Sequence, residues 1–233
     1  MVSKEVEKLL LKVQKPGRYV GGELNEVIKD KNSVDVRFAF CFPDTYEVGM
    51  SHLGMKILYS QFNKEDYIWC ERVFAPWVDM EEEMIKHNIP LYALESGDPV
   101  SDFDFIGFTL QYELSFTNML NMLKLSNVPI KSSERNELKQ IVVAGGPCAC
   151  NPEPIADFVD LFFIGEGEEV DLDVINIFRE CRKQGKSKAE FLQLCSQIEG
   201  VYVPSLYDVS YNADGTIKSF MPKGNAPKVI HKR

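Results

Sequence analysis

Two stretches of this sequence are apolar without interruption, Phe38-Ala39-Phe40-Cys41-Phe42 and Leu161-Phe162-Phe163-Ile164. A strand with one face in water alternates apolar and polar side chains. A strand without that alternation has helices over both faces, which is the signature of a parallel sheet. Short apolar runs at Val34–Phe42, Tyr67–Phe74, Phe103–Leu110, Gln140–Ala144 and Leu161–Ile164 therefore predict five strands. Helical periodicity fills the gaps between them. Met50, Leu53, Ile57 and Leu58 form one stripe, and Trp77 to His87 forms a second helix, acidic on its exposed side. Phe116, Met119, Leu120 and Leu123 form a third, with Ser115 placed to cap it. Val170, Val174, Ile175 and Phe178 form a fourth, opened by Glu166, Glu168, Glu169 and Asp171, acids that suit the positive end of a helix dipole. Strand–helix alternation of this kind predicts an α/β fold, an open five-stranded and mainly parallel sheet with helices on both faces.

Two appendages flank that sheet. Val6, Leu9, Leu10 and Val13 predict an N-terminal helix stopped by Pro16-Gly17, which with the segment after it makes 1–33 a docking segment. The α/β domain occupies 34–185. In 186–233, Ala189–Cys195 predicts a short helix, and Val201–Tyr211 with Thr216–Phe220 a β-hairpin around Asn212-Ala213-Asp214-Gly215. Pro222–Arg233 then reads as a linker. At 233 residues and 45% hydrophobic content the chain builds a core without disulfides or structural metals, since about 70% of the surface of a chain this size is buried on folding. A net charge of −9 makes it a poor tracker of nucleic-acid phosphates. No apolar stretch approaches a membrane span, and the charged N-terminus lacks a signal peptide's apolar block, so the expected location is cytoplasmic. The six cysteines are scattered and read as reduced thiols, with Cys148-Ala149-Cys150 as small residues rather than ligands; the three histidines are too dispersed for a metal site.

Ligands of open α/β sheets bind at the carboxyl ends of the strands. Here the first strand runs into Asp44-Thr45-Tyr46-Glu47-Val48-Gly49, the fourth into Gly145-Gly146-Pro147, and the fifth into Gly165-Glu166-Gly167-Glu168. Glycines at these points admit a ligand close to backbone, and tight turns use them equally. Glycine-bearing ends gathered on one edge favour a binding crevice. A dinucleotide fingerprint is not met, because Gly165-Glu166-Gly167 follows the wrong strand and lacks its third glycine. Mononucleotide loops, phospho-receiver residues and nucleophile triads find no match either.

The strand ends do resemble those of flavodoxin-like, Rossmann-like cobalamin-binding domains, which carry D-x-H-x-x-G, a Ser-x-Leu-like step and a Gly-Gly. Asp44, Tyr46 and Gly49 keep that first frame with tyrosine at the position of the cobalt-ligating histidine; Thr109-Leu110-Gln111 stands at the step, and Gly145-Gly146 follows. Gly17-Arg18-Tyr19-Val20-Gly21-Gly22-Glu23, the run Phe103 to Glu113, Gly145-Gly146-Pro147-Cys148 with Asn151-Pro152-Glu153-Pro154, and Ile164-Gly165-Glu166-Gly167-Glu168 are similar, more narrowly, to the N-terminal part of an uncharacterised family of cobalamin-binding-type radical S-adenosylmethionine proteins.

The resemblance implies a domain that binds cobalamin (vitamin B12) in a histidine-off mode. Asp44, Tyr46, Gly49, His52, Thr109, Gln111, Gly145, Gly146, Pro147, Gly165, Glu166 and Gly167 would be the cofactor-binding residues. His52 either swings toward the ligand or packs at a helix start. The resemblance further implies a partner within the same protein, a downstream radical S-adenosylmethionine barrel with a [4Fe–4S] cluster and S-adenosylmethionine, whose C-x3-C-x2-C spacing does not occur here. The chain is then expected to be an N-terminal fragment without catalytic residues, serving methyl transfer or a radical rearrangement in the intact enzyme. Two alternatives stay open: a degenerate scaffold that only docks against the barrel, and a free-standing small-ligand α/β module.

Overall fold

The strands of this protein sort their side chains by size rather than by polarity. The computed structural model describes Ser3–Arg233. Strands β1 (Val36–Phe42), β2 (Ile68–Phe74), β3 (Phe105–Thr109), β4 (Ile141–Gly145) and β5 (Leu161–Phe163) run parallel. A short β6 (Val201–Tyr202) adds antiparallel to β5, giving a six-stranded sheet in the order β2-β1-β3-β4-β5-β6. The order reverses between β1 and β3, the switch point at which open α/β sheets part to admit ligands.

Helices α1 (Lys4–Leu10), α2 (Tyr46–Ser51), α3 (Leu53–Lys64), α4 (Val78–His87), α5 (Phe116–Leu125), α6 (Gly167–Lys183) and α7 (Lys188–Cys195) cover the sheet. Phe38, Phe40, Phe42, Phe105 and Phe163 point to one face, where they pack with Met55 and Phe62 of α3, Val174 and Phe178 of α6 and Phe191 of α7. Ala39, Cys41, Ile106, Phe108 and Ala144 point to the other, against α1, α4 and α5. The period of 2 survives as a division between an aromatic layer and a mostly smaller one, both dry, as a doubly covered sheet requires.

Several local expectations change. The stripe Met50-Leu53-Ile57-Leu58 does not lie on one helix. His52 takes an extended backbone (ψ 117°) and its Nδ1 accepts the Met55 N–H at 3.1 Å, which ends one helix and caps the next. The restart turns Met55, Tyr59 and Phe62 inward and leaves Leu53 and Ile57 exposed. Ser115 does not cap α5; its hydroxyl donates to the Tyr112 carbonyl at 2.6 Å. The N-terminal helix stops at Leu10, earlier than its apolar spacing suggests. Val201–Tyr211 is two elements: Pro204 cannot donate to a ladder and opens a 3-10 turn, after which β7 (Tyr207–Tyr211) pairs with β8 (Ile217–Pro222) as the predicted hairpin.

The final residues are docked. The Tyr207 hydroxyl donates to the Pro227 carbonyl (2.7 Å), the Arg233 N–H donates to the Ile164 carbonyl (3.1 Å), and the Arg233 carbonyl accepts from the Glu166 N–H (3.2 Å). The tail thus lies against the loop after β5. At the amino end of β5, Asp160 is buried and saturated: it accepts from the Val142 N–H (2.8 Å), Lys188 Nζ (2.8 Å) and Arg135 Nη2 (3.2 Å). Among the described residues no helix is long and apolar enough to cross a membrane.

Candidate functional site

A cavity of about 400 Å³ opens at the carboxyl edge of the sheet and runs down between its aromatic face and the first turns of α3 and α6. Its floor exists because small residues fall at the right places in the alternation. Gly107 of β3 and Gly145 of β4 both line it; a Cβ on Gly107 would meet the Phe38 ring at 2.4 Å, so only glycine lets that ring lie across β3. Phe40, Val143, Phe163 and Leu58 complete an apolar lining.

The rim is polar. Thr109 ends β3, and its Oγ1 accepts from Gln111 Nε2 at 2.8 Å, so each fixes the other at the mouth. Gly146 adopts φ +95°, a conformation open mainly to glycine, and a Cβ there would stand 2.7 Å from the Leu110 carbonyl oxygen. Pro147 follows as the first residue of a 3-10 turn. Gly165, Glu166 and Gly167 form the opposite lip. A Cβ on Gly165 would sit 2.1 Å from the Arg233 carbonyl oxygen, so its close approach is to the tail of the same chain, and Lys232 is carried to the mouth beside it. His52 also lines the cavity, with its Nδ1 accepting the Met55 N–H.

The structure thus brings His52, Thr109, Gln111, Gly145, Gly146, Pro147, Gly165, Glu166 and Gly167 together around one cavity. Asp44, Tyr46 and Gly49 stand outside its lining. Asp44 accepts from the Thr45 N–H (2.6 Å) and from the Tyr112 hydroxyl (2.8 Å). The Tyr46 hydroxyl donates to Glu23, and burial together with that carboxylate pushes the phenol up to about 12. Gly49 packs α2 against β2, where a Cβ would overlap the Phe74 ring at 2.2 Å.

Sequence reasoning missed the most unusual group. Asp171, in the second turn of α6, lines the cavity at 6% exposure, and its Oδ1 has no hydrogen-bond partner. Burial pushes its carboxyl well above the ordinary carboxylate range, and the negative charge of Glu168 adds to the rise. Both effects favour its protonated form, in which the carboxyl can donate one hydrogen bond. Its spacing with Val174, Ile175 and Phe178 put it on the buried face from the start; counting it among the dipole-compensating acids hid it.

Chemically the cavity combines an apolar floor with polar groups from Thr109, Gln111 and Asp171. The buried thiols are unreactive: desolvation raises Cys41, Cys70, Cys148 and Cys195. Among the described residues no three His, Cys, Asp or Glu side chains stand close enough together to share a metal ion, so this donor set does not fit an iron–sulfur cluster.

Fold and cavity define an open α/β domain with a cavity at the carboxyl edge of its sheet. A family model described as "Radical SAM proteins, N-terminal" matches residues 54–204, well over half of the chain, and the protein belongs to that family. An uncharacterized protein of Methanocaldococcus jannaschii is 33% identical over 141 residues, covering 59% of this chain and 26% of that protein. The chain therefore spans about a quarter of the length of this curated relative. No solved structure matches.

Proposed function

We propose that this chain is the cobalamin-binding N-terminal domain of a cytoplasmic radical S-adenosylmethionine enzyme. The observation that carries the reading is the convergence of Thr109, Gln111, Gly145 and Gly146 on one cavity that enters the core at the switch point of the sheet. In this reading 34–185 is the cofactor domain, while 1–33 and 186–233 are the segments that flank and brace it. The corrin would be held at the carboxyl edge, with the nucleotide tail between the aromatic face and α6. Gly107, Gly145 and Gly167 keep that path clear, and the orphaned Asp171 oxygen supports a polar group at its end. Bound there, cobalamin supplies a cobalt centre for methyl transfer or a radical rearrangement.

This chain's residues hold and orient the cofactor. Position 46 carries no histidine, and the Tyr46 phenol is committed to Glu23, so this position would offer cobalt no imidazole. His52 acts as a helix cap rather than a ligand. The [4Fe–4S] cluster, S-adenosylmethionine and the substrate belong to a catalytic domain downstream in the same protein, against which this domain docks. A second reading, a scaffold that has lost the cofactor and keeps only the docking role, draws support from the Arg233 backbone lying on Gly165 at the lip.

The test is retention of hydroxocobalamin. The purified chain is mixed with it, gel-filtered, and the visible spectrum recorded. Retained corrin absorbance of a base-off, histidine-off form, unchanged in Tyr46→Phe and His52→Gln, is expected. Protein emerging free of corrin at micromolar concentrations overturns the reading in favour of the scaffold.

A further inference from the structure

Asp171 differs from every other buried carboxylate of the protein in having nothing to bond. Asp160 is held by two cations and a backbone N–H. Glu95 is paired with Arg72 at 2.6 Å, and Glu71 with Arg37. A buried polar group without a partner costs about 1–3 kcal/mol, and native proteins tolerate few of them. No side chain or backbone group of the protein relieves Asp171 Oδ1. A Cβ on Gly167 would meet both Asp171 Oδ2 (3.1 Å) and the Leu58 methyls (3.4 Å), and Glu166, Glu168 and Lys232 line the same cavity. In its protonated form the carboxyl can donate to an acceptor inside the cavity.

The shape around it narrows the class. Phe38, Phe40 and Phe163 line the cavity with ring faces and edges, a surface suited to a planar aromatic group. A nitrogen heterocycle with a free ring nitrogen is a planar group that accepts a hydrogen bond from a neutral carboxyl. We propose that Asp171 is a specificity-determining residue that donates its carboxyl hydrogen to the ring nitrogen of a heteroaromatic base inserted between the aromatic face and α6. This rests on the cobalamin reading above. The base is then the lower base of the cofactor's nucleotide tail, whose nitrogen is free because it has left cobalt. The consequence is selectivity among cobamides: a benzimidazole base is accepted, and a phenolic base of similar size, which has no ring nitrogen, is rejected.

The experiment compares hydroxocobalamin, a cobamide with p-cresol as its lower base, and cobinamide, which has no base, by equilibrium dialysis against the full chain. The parent protein is expected to hold hydroxocobalamin at least tenfold more tightly than the p-cresol form. Asp171→Leu is expected to bring the two within twofold, and Asp171→Asn, whose amide still donates, to retain part of the preference. Equal affinities in the parent, or a preference that survives Asp171→Leu, overturn the proposal and leave cobalamin binding standing. Should no corrinoid be retained, the cofactor reading falls. The free benzimidazole riboside, α-ribazole, then decides the role of Asp171 by thermal shift. A rise in Tm that Asp171→Leu abolishes supports a heterocycle site, and no rise overturns it. Far-UV circular dichroism of both variants confirms that each is folded.

Discussion

Asp160 and Asp171 are both buried aspartates on the framework of the same sheet, and they are opposites. Asp160, at the amino end of β5, has Arg135, Lys188 and the Val142 N–H around it. Asp171, near the carboxyl edge, has an oxygen with no partner. The first arrangement ties α7, the 131–136 loop and the sheet together, and it is complete without any ligand. The second has a carboxyl oxygen that no group of the protein engages. A saturated buried carboxylate holds the fold; an unpartnered carboxyl beside a cavity does not, and such groups cluster at functional sites.

Removing each aspartate should therefore act with opposite sign. Asp160→Ala leaves Arg135 and Lys188 buried and uncompensated, and a loss of about 3–5 kcal/mol is expected in urea denaturation. A loss under 1 kcal/mol would show that the cluster relaxes into water. Asp171→Leu, which exchanges an orphaned carboxyl for an apolar side chain of similar size, should instead stabilise the unliganded protein by about 1–3 kcal/mol. Destabilisation by that substitution would mean that Asp171 holds the fold after all.

The pH dependence sharpens the same contrast. The folded-state pKa of Asp171 is raised, so its proton is bound more tightly when folded than unfolded. The stability linked to that proton is fully present below the ordinary aspartate value near 3.9 and drains away as pH rises toward the folded pKa, with a slope of at most about 1.4 kcal/mol per unit. The stability of the parent relative to Asp171→Asn should fall from pH 4 upward, measured by denaturant midpoints across the range; a flat difference would place the group in solvent. Gly146→Ala forces a side chain into φ +95° against the Leu110 carbonyl and should cost about 1–3 kcal/mol at the rim. Ser187→Ala removes the capping box that starts the helix carrying Lys188 and should cost about 1 kcal/mol, the smallest of these effects.

The sheet could be inferred from sequence because its cause is local: uninterrupted apolar runs separated by helical periods leave little choice of architecture. The strand ends were equally legible, since Gly145-Gly146 and Gly165-Glu166-Gly167 stand where the topology puts a crevice. Features that depend on orientation were hidden. Whether Met50, Leu53, Ile57 and Leu58 share a face depends on an imidazole accepting a backbone hydrogen at His52, and no periodicity reports that. Asp44 and Tyr46 match a motif frame, yet their side chains are spent on Tyr112 and Glu23 rather than on the cavity. Asp171 was visible in the pattern and was counted with the acids that open its helix. The short β6 lay inside a run that looked continuous, and only Pro204 marked the division.

The aromatic layer has one more consequence. Phe38 stacks on Phe105 (5.7 Å between centroids), Phe105 meets Phe178 edge-on (4.8 Å), and Phe178 meets Phe191 (5.7 Å). The cavity floor is thus the top course of a column of interlocked rings that continues through the domain to α7. Such a column has few alternative rotamers to lose, so the entropy of shaping the cavity is spent during folding rather than at the moment of binding. A ligand entering there meets a finished mould, and small changes of shape at its inserted end should be felt as affinity rather than absorbed by the wall.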